Sequence, residues 1–178
     1  MNLKGYTIGN FDRGVSKGKE ALWYFVRFLF FLNYIPLPSS FRVGLLRLFG
    51  AKIGNGVVVR NNVNISYPWR LTIGDDVWIG DDVMIISHGS VIIESSVCVS
   101  QRAFLCAGSH RFHTPGFELV TKPIIIRRGS WIASMAFVAM DVEIGPDSMV
   151  GAGAVVLKNV PPGTTVLGNP AEIRPAKK

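Results

Sequence analysis

Three histidines occur in the 178 residues. Two of them, His110 and His113, fall in one polar stretch, FLCAGSHRFHTPGFELVTKP, running from Phe104 to Pro123. Neutral imidazole accepts a proton near pH 7, so a histidine held beside a cleft suits general-base activation of a weak nucleophile such as a hydroxyl. Three imidazoles together, His88, His110 and His113, would instead make a ligand set for zinc, although a His-x-x-His spacing on a loop is a poor one. Cys106, four positions before His110, invites a Cys–His nucleophile reading. Against it, Cys106 directly follows a leucine whose place in a regular repeat turns it inward.

That repeat is what must position the histidines. From Ile53 the chain divides into sixes: IGNGVV, VRNNVN, ISYPWR; IGDDVW, IGDDVM, IISHGS; IESSVC, VSQRAF, LCAGSH; and, after a loop, IRRGSW, IASMAF, VAMDVE, IGPDSM, VGAGAV, VLKNVP. Every unit opens with Ile, Val or Leu. The units form five sets of three, separated by the pairs Leu71-Thr72 and Val91-Ile92 and by the loop. Short strands joined by tight corners make a triangular coil, with each opening aliphatic stacked on its equivalents above and below. Gly, Asn and Asp after it supply the corner conformations. Five coils at a strand spacing of about 4.8 Å predict a prism on the order of 24 Å tall. A set of amphipathic helices would need a 3.6-residue period, which is absent. The expected fold is therefore all-β: a parallel β-helix of about five coils over residues 53–161, an N-terminal helical segment over 1–52, one extruded loop over 111–125 and a tail over 162–178. His110 closes the third coil at a corner, with its ring directed away from the core, and Ile126 re-enters the prism. A long loop on a rigid scaffold is a usual place for function.

At 48 % hydrophobic the chain is globular. Cys98 and Cys106 sit inside apolar units and read as buried free thiols of a reducing compartment, not a disulfide framework. The formal charge of +7 suggests an anionic partner. Nucleic acid is not it, because the cations are scattered and no binding module appears. The apolar run ALWYFVRFLFFLNYI (21–35) is neither a signal peptide nor long enough to span a bilayer. Ser16 can cap this helix, Pro36 and Pro38 end it, and FRVGLLRLFG forms a second short helix closing at Gly50. The favoured role is a cap on the open end of the repeat body. The minority reading lays residues 21–35 on a membrane, with Arg27, Arg42 and Arg47 near lipid phosphates.

The repeat and the segments ISYPWRLTIGDDVWIG, VCVSQRAFLCAGSH and VGAGAVVLKNVPPGTTVLGNPA resemble the hexapeptide-repeat acyltransferases, most nearly the colanic-acid type of polysaccharide-biosynthesis acetyltransferase, over roughly residues 53–171. The resemblance, and not the periodicity, implies a left-handed β-helix, because the general crossover rule favours the other hand. It implies transfer of an acetyl group from acetyl-CoA to a sugar hydroxyl, with His110 as general base and direct attack. It also implies a cytoplasmic homotrimer whose sites lie between prisms, with the inner face of the cell membrane as an alternative placement. Outward apolar residues such as Trp78, Met84 and Phe137 agree loosely with a trimer. Ser134, Ala152 and Gly153 match positions along the pantetheine arm, and a donor from Ser134 can stabilise an oxyanion. Trp131 matches a tryptophan at the groove edge. Lys158, with Arg174 in place of an arginine replaced here by Glu172, matches cations for the CoA phosphates. His88, Trp78 and Arg111 are the candidate acceptor contacts, and Tyr67 and Trp69 can also stack on a sugar. Arg111 stands where the family usually has an acidic or amide residue, so the group that orients His110 is left open. An amino-sugar N-acetyltransferase, a zinc carbonic-anhydrase-like β-helix protein and a non-catalytic scaffold are the competing readings.

Overall fold

Each six-residue unit becomes one side of a triangular coil in the computed structural model, which describes residue 4, residues 6–9 and residues 11–174. Residues 1–3, 5 and 10 of the expected cap and 175–178 of the expected tail lie outside the described residues. The corners need a left-handed backbone, and the sequence supplies residues that tolerate it: Asn62, Asp76, Asp82 and Asp147 have φ between 54° and 60°, and Gly56 and Gly129 have φ of 66° and 72°.

Stacking the coils produces three parallel sheets. The first side holds Lys52–Ile53, Leu71–Ile73, Val91–Ile93, Ile124–Ile126 and Val142–Ile144. The second holds Val58–Val59, Trp78–Ile79, Cys98–Val99, Trp131–Ile132, Met149–Val150 and Thr165–Leu167. The third holds Asn64–Ile65, Met84–Ile86, Phe104–Cys106, Phe137–Ala139 and Val155–Val156. Five coils are complete and a sixth begins, with Val160 bridging to Ile144 and Thr165–Leu167 pairing with Met149–Val150. Glu172–Ile173 then turns back antiparallel and closes the far edge of the second sheet.

The inward aliphatics make three ladders, including Ile73–Ile93–Ile126–Ile144 and Ile85–Leu105–Val138, each residue at most 2 % exposed. Burying such a side chain contributes about 1.5–3 kcal/mol, so the column is stabilised mainly by this repetition. The pairs that separate the sets are not spacers. Leu71 and Val91 are themselves buried and stack with Ile124 and Val142 in the first sheet. For the same reason the chain rejoins the prism at Ile124, two residues before Ile126.

Helix α1 (Lys17–Phe30) begins at Ser16, whose hydroxyl accepts the Lys19 N–H at 3.3 Å. It ends at Phe30, well ahead of Pro36. Helix α2 (Ser39–Leu48) follows, and Gly50, at φ 102°, turns the chain into the first strand. Trp23, Phe31, Leu46 and Phe49 close the open end of the column. The three arginines of the membrane reading are occupied in this cap. Buried Arg42 donates to the carbonyls of Phe30, Leu37 and Ile35 and to Asn61 Oδ1, Arg27 donates to Asn64 Oδ1, and Arg47 to the carbonyls of Ile53 and Gly54. The cysteines differ from the burial expected of them. Both are free but half-exposed, because Cys98 and Cys106 fall on outward positions of their strands.

Candidate active site

The interruption of the repeat is a β-hairpin. Ser109–His110 pairs antiparallel with Leu119–Val120, and the Arg111 N–H donates to the Glu118 carbonyl. The turn between them folds the chain back so that the Phe117 carbonyl lies 2.9 Å from His110 Nδ1, and the two rings stack with centroids 4.4 Å apart and planes 1° from parallel. A carbonyl only accepts, so Nδ1 carries the hydrogen and Nε2 keeps its lone pair. His110 is thus exposed, fixed in orientation and held in the tautomer of a base. The orienting group is a backbone atom, which no residue type in the sequence could announce.

His88 lies one coil below, directly under Gly108. A Cβ at Gly108 would sit 3.1 Å from both Cβ and Nδ1 of His88, so the glycine two residues before His110 makes room for the second imidazole. Burial, then the charges of Arg70 and His110, hold His88 below the ordinary histidine range. Its ring packs edge-on to Phe11 at 5.8 Å and against Tyr67 at 5.2 Å. Phe11 belongs to an N-terminal segment that crosses this corner. Arg70 ties that segment down, donating to the Asp12 carbonyl and to the carbonyl of His88. Tyr6 reaches within 6.0 Å of the His110 ring, and the Thr7 N–H donates to the Gly116 carbonyl. This segment, part of the expected helical region, is the roof of the histidine corner. Between it and the hairpin lies a cavity of about 500 Å³ lined by Gly9, Phe11, Arg111, Glu118, Leu119, Val120 and Thr121. Arg111 therefore faces a cleft. His113 is exposed at the hairpin tip, against Phe112. Tyr67 is buried and stacked on the half-buried Trp69 at 4.8 Å, so its ring presents no open face for a sugar.

The donor-side residues collect elsewhere. Trp131, Ser134, Ala152 and Gly153 lie along the second side and the corner where it meets the third. Trp131 Nε1 donates to Ser100 Oγ at 2.8 Å, the Ser134 hydroxyl donates to Gln101 Oε1 at 3.1 Å, and the Gly153 N–H donates to the Ser134 carbonyl at 3.0 Å. Gly153, at φ 67°, has nothing within 4 Å of where a Cβ would point, whereas a Cβ at Gly129 would strike Asp147 Oδ1 at 2.2 Å. Open space beside a left-handed turn gives a long, thin ligand room to lie against the main chain. A neighbouring cavity of about 340 Å³ is lined by Trp78, Cys98, Ser100 and Gln101, among others. Trp78 thus sits with the donor-side group and not beside His88 in its own chain. The Arg174 N–H donates to the Thr165 carbonyl, at the head of the column Trp78–Cys98–Trp131–Met149–Thr165. Lys158 is on the other corner, the one His110 occupies, two coils on.

The structure therefore splits the residues into two groups at opposite ends of the third side. At about 3.3 Å per residue that side separates them by on the order of 15 Å. Among the described residues, no three His, Cys, Asp or Glu side chains come together in a way that could hold a metal ion.

No protein-family model matches the chain. A protein of Escherichia coli (strain K12) named for acetyl transfer in colanic acid biosynthesis, WcaF, is 40 % identical over 173 residues, covering 97 % of this chain and 95 % of that protein. The galactoside O-acetyltransferase of the same organism is 27 % identical over 141 residues, 78 % of this chain and 70 % of its own length. Among solved structures, the hexapeptide-repeat acetyltransferase VCA0836 of Vibrio cholerae, in complex with acetyl-CoA, shares the fold with a TM-score of 0.83 at 24 % identity, covering 99 % of this chain and 96 % of that one. With a relative this similar spanning nearly its whole length, and the six-residue coil seen rung by rung, the chain belongs to the hexapeptide-repeat acetyltransferases of the colanic-acid type, a family of left-handed parallel β-helices.

Proposed function

We propose that the protein transfers the acetyl group of acetyl-CoA to a sugar hydroxyl of a polysaccharide precursor, with His110 as general base. The observation that carries this reading is the 2.9 Å contact between His110 Nδ1 and the Phe117 carbonyl, which leaves Nε2 free on an exposed ring. In the step itself, Nε2 takes the proton of the acceptor hydroxyl while its oxygen attacks the thioester carbon. The tetrahedral intermediate then expels the CoA thiolate, and the imidazolium returns the proton to that sulfur. Acceptor and acetyl-CoA become acetyl ester and CoA with no enzyme-bound intermediate. The cavity walled by Arg111, Glu118 and Thr121 is the acceptor site in this reading, and its size suits a sugar. Oxygen rather than nitrogen as the acceptor atom follows the galactoside relative.

The separation of the two groups supports a shared site in a homotrimer. If three prisms turn their third sides toward one axis, each His110 corner meets the next copy's Ser134–Gly153 corner. The outer surface of that side is apolar: Met84, Phe104, Phe137 and Val155 form a column, with the two phenylalanine rings 5.3 Å apart. Trp131 and Ser134 from one copy, with Lys158 from its neighbour, would then flank one CoA groove. Arg174, further along the second side, is its second cation.

The test is release of CoA thiol from acetyl-CoA with a panel of nucleotide sugars and lipid-linked oligosaccharides. His110→Ala should lower turnover by roughly 10²–10⁴ while CoA binding, followed by calorimetry, is kept. Turnover equal to that of the parent protein would refute the base.

A further inference from the structure

From Glu20 onward, helix α1 turns its charges inward. Glu20, 3 % exposed, and the half-buried Arg27 face the column, whereas the exposed large side chains from residue 21 to residue 32 are Leu22, Tyr24, Phe25, Phe28, Leu29 and Leu32, of which only Tyr24 has a polar group. Leu22, Phe25 and Phe28 are 55 %, 60 % and 67 % exposed. Helix α2 continues the surface: Phe41 and Leu48 point outward with Gly44, and Leu48 is 75 % exposed. A solvated cap has no reason to be built this way, since the same buried contacts would hold with Lys and Glu on the outer face.

A second observation says what covers this surface. The cations are spread along the chain, but the anions are not. Every acidic residue except Asp12 and Glu20 lies at or beyond Asp75, while Arg27, Arg42, Arg47, Lys52, Arg60 and Arg70 precede it. Glu20 is buried against Arg13, so no exposed carboxylate belongs to either helix. Lys17, Lys19, Arg47 and Lys52 form no ion pair with an acidic side chain among the described residues. The outer face of the two helices is therefore apolar in its centre, cationic at its margin and without an exposed carboxylate of its own, the acids next to it being those of the second coil, such as Asp75 and Asp82. No helix of the described residues is long and apolar enough to cross a membrane.

We infer that the α1–α2 cap is a docking surface for an anionic lipid bilayer, with Leu22, Phe25, Phe28, Leu29 and Leu48 entering the interface and Lys17 and Lys52 meeting lipid phosphates. An interfacial helix needs this pairing of an apolar face with flanking cations and no spanning length. The orientation has a consequence for the chemistry. Glu20 on α1 accepts the Tyr67 hydroxyl at 2.9 Å, and Tyr67 packs on His88, so the histidine corner lies only two or three coils, about 10–15 Å, behind the docked end. An acceptor sugar carried on a lipid would be presented to that corner. This inference goes beyond acetyl transfer and does not depend on it.

The test is flotation of the protein with vesicles of phosphatidylcholine alone and of phosphatidylcholine with about 30 % phosphatidylglycerol, which gives the surface a negative potential. Binding to the anionic vesicles, at least tenfold weaker to the neutral ones and weakened again by 0.5 M salt, is expected. Phe25→Glu/Phe28→Glu should lose at least tenfold in binding, with unchanged sedimentation and unchanged acetylation of a water-soluble acceptor. Phe25→Ser/Phe28→Ser, milder at the same sites, should show the same direction. Failure of the parent protein to float overturns the inference without reference to any variant. So does a change of association state in both variants while vesicle binding persists, which would make the stripe a contact between copies. Loss of acetyl transfer by His110→Ala bears on the enzyme reading alone and leaves vesicle binding as it was.

Discussion

The carboxylate of Glu20 joins the cap to the histidine corner, and removing it should be felt at both. It accepts hydrogen bonds from Arg13 Nη1 at 2.5 Å, Tyr67 Oη at 2.9 Å and Tyr24 Oη at 3.1 Å. Burial alone would raise its pKa, but these three donors and the Arg13 charge outweigh that effect and hold it below the usual carboxylate range. In Glu20→Ala, Arg13 and Tyr24 are exposed enough to find water. Tyr67, 5 % exposed, is not. A buried hydroxyl left without an acceptor costs about 1–3 kcal/mol, and the space left by the truncated side chain adds about 1 more. A loss of about 2–4 kcal/mol corresponds to a fall in Tm of roughly 5–15 °C for a domain of this size. Scans at one fixed protein concentration avoid a shift from altered assembly.

The pH dependence separates this account from a generic packing defect. Because the folded-state pKa of Glu20 is lowered, its contribution is present above about pH 4.3 and is lost as pH falls through the folded value. The parent protein should therefore lose more stability than Glu20→Ala as pH falls from 5 to 3, the range that spans and lies below about 4.3. Since Tyr67 supports the His88 ring, KM for the acceptor should rise while KM for acetyl-CoA stays. A Tm within 1 °C of the parent protein, or parallel acid limbs, would refute the reasoning.

Other outcomes follow from single contacts. Gly129→Ala puts a Cβ 2.2 Å from Asp147 Oδ1 at a φ of 72°, and should cost about 1–3 kcal/mol by chemical denaturation. Gly153→Ala has the same backbone strain but an open direction for its Cβ. It should cost less stability than Gly129→Ala and raise KM for acetyl-CoA instead, and an unchanged KM would remove Gly153 from the donor groove. The lowered pKa of His88 means folding favours its neutral form, so its contribution is present above about pH 6.5 and is lost as pH falls through the folded value. A denaturant midpoint compared at pH 7.5 and pH 5.5 should therefore drop further in the parent protein than in His88→Gln.

What could be read from residues alone was whatever repeats. Fifteen aliphatic openings in one register specify a triangular column, because each must meet its equivalents above and below, and a shift by one residue would turn them all outward. The corner residues follow from backbone sterics. Legibility stops where the determining atom is a main-chain group or lies far off in sequence. The Phe117 carbonyl that orients His110 has no signature, and neither does a roof supplied by Phe11 over a histidine 77 positions away. Leu71 and Val91 looked like separators because a six-residue template has no place for the first residue of a three-residue strand. Their aliphatic character, shared with Ile124 and Val142, was the signal that placed them in the core. Cys98 and Cys106 were misplaced by composition, although their positions within the sixes already put them on outward sites.

The two proposals constrain one another through symmetry. Cyclic arrangement of three prisms about an axis along their length puts all three caps at the same end, so a trimer would present three apolar, cationic surfaces to one plane. A single short amphipathic surface binds a bilayer weakly. Three held together turn the second and third contacts into intramolecular events, and avidity can then exceed a single affinity by 10²–10⁴. Charged residues at the centre of the third side, as in Phe104→Glu/Phe137→Glu, should break the trimer, since these half-buried rings form the middle of its apolar column. Flotation of that variant at equal chain concentration should fall by at least tenfold even though Phe25 and Phe28 are untouched, and acetyl transfer should fall with it. If the separated chains float as well as the parent protein, the caps act singly. The third side would then have no part in placing this enzyme at a membrane.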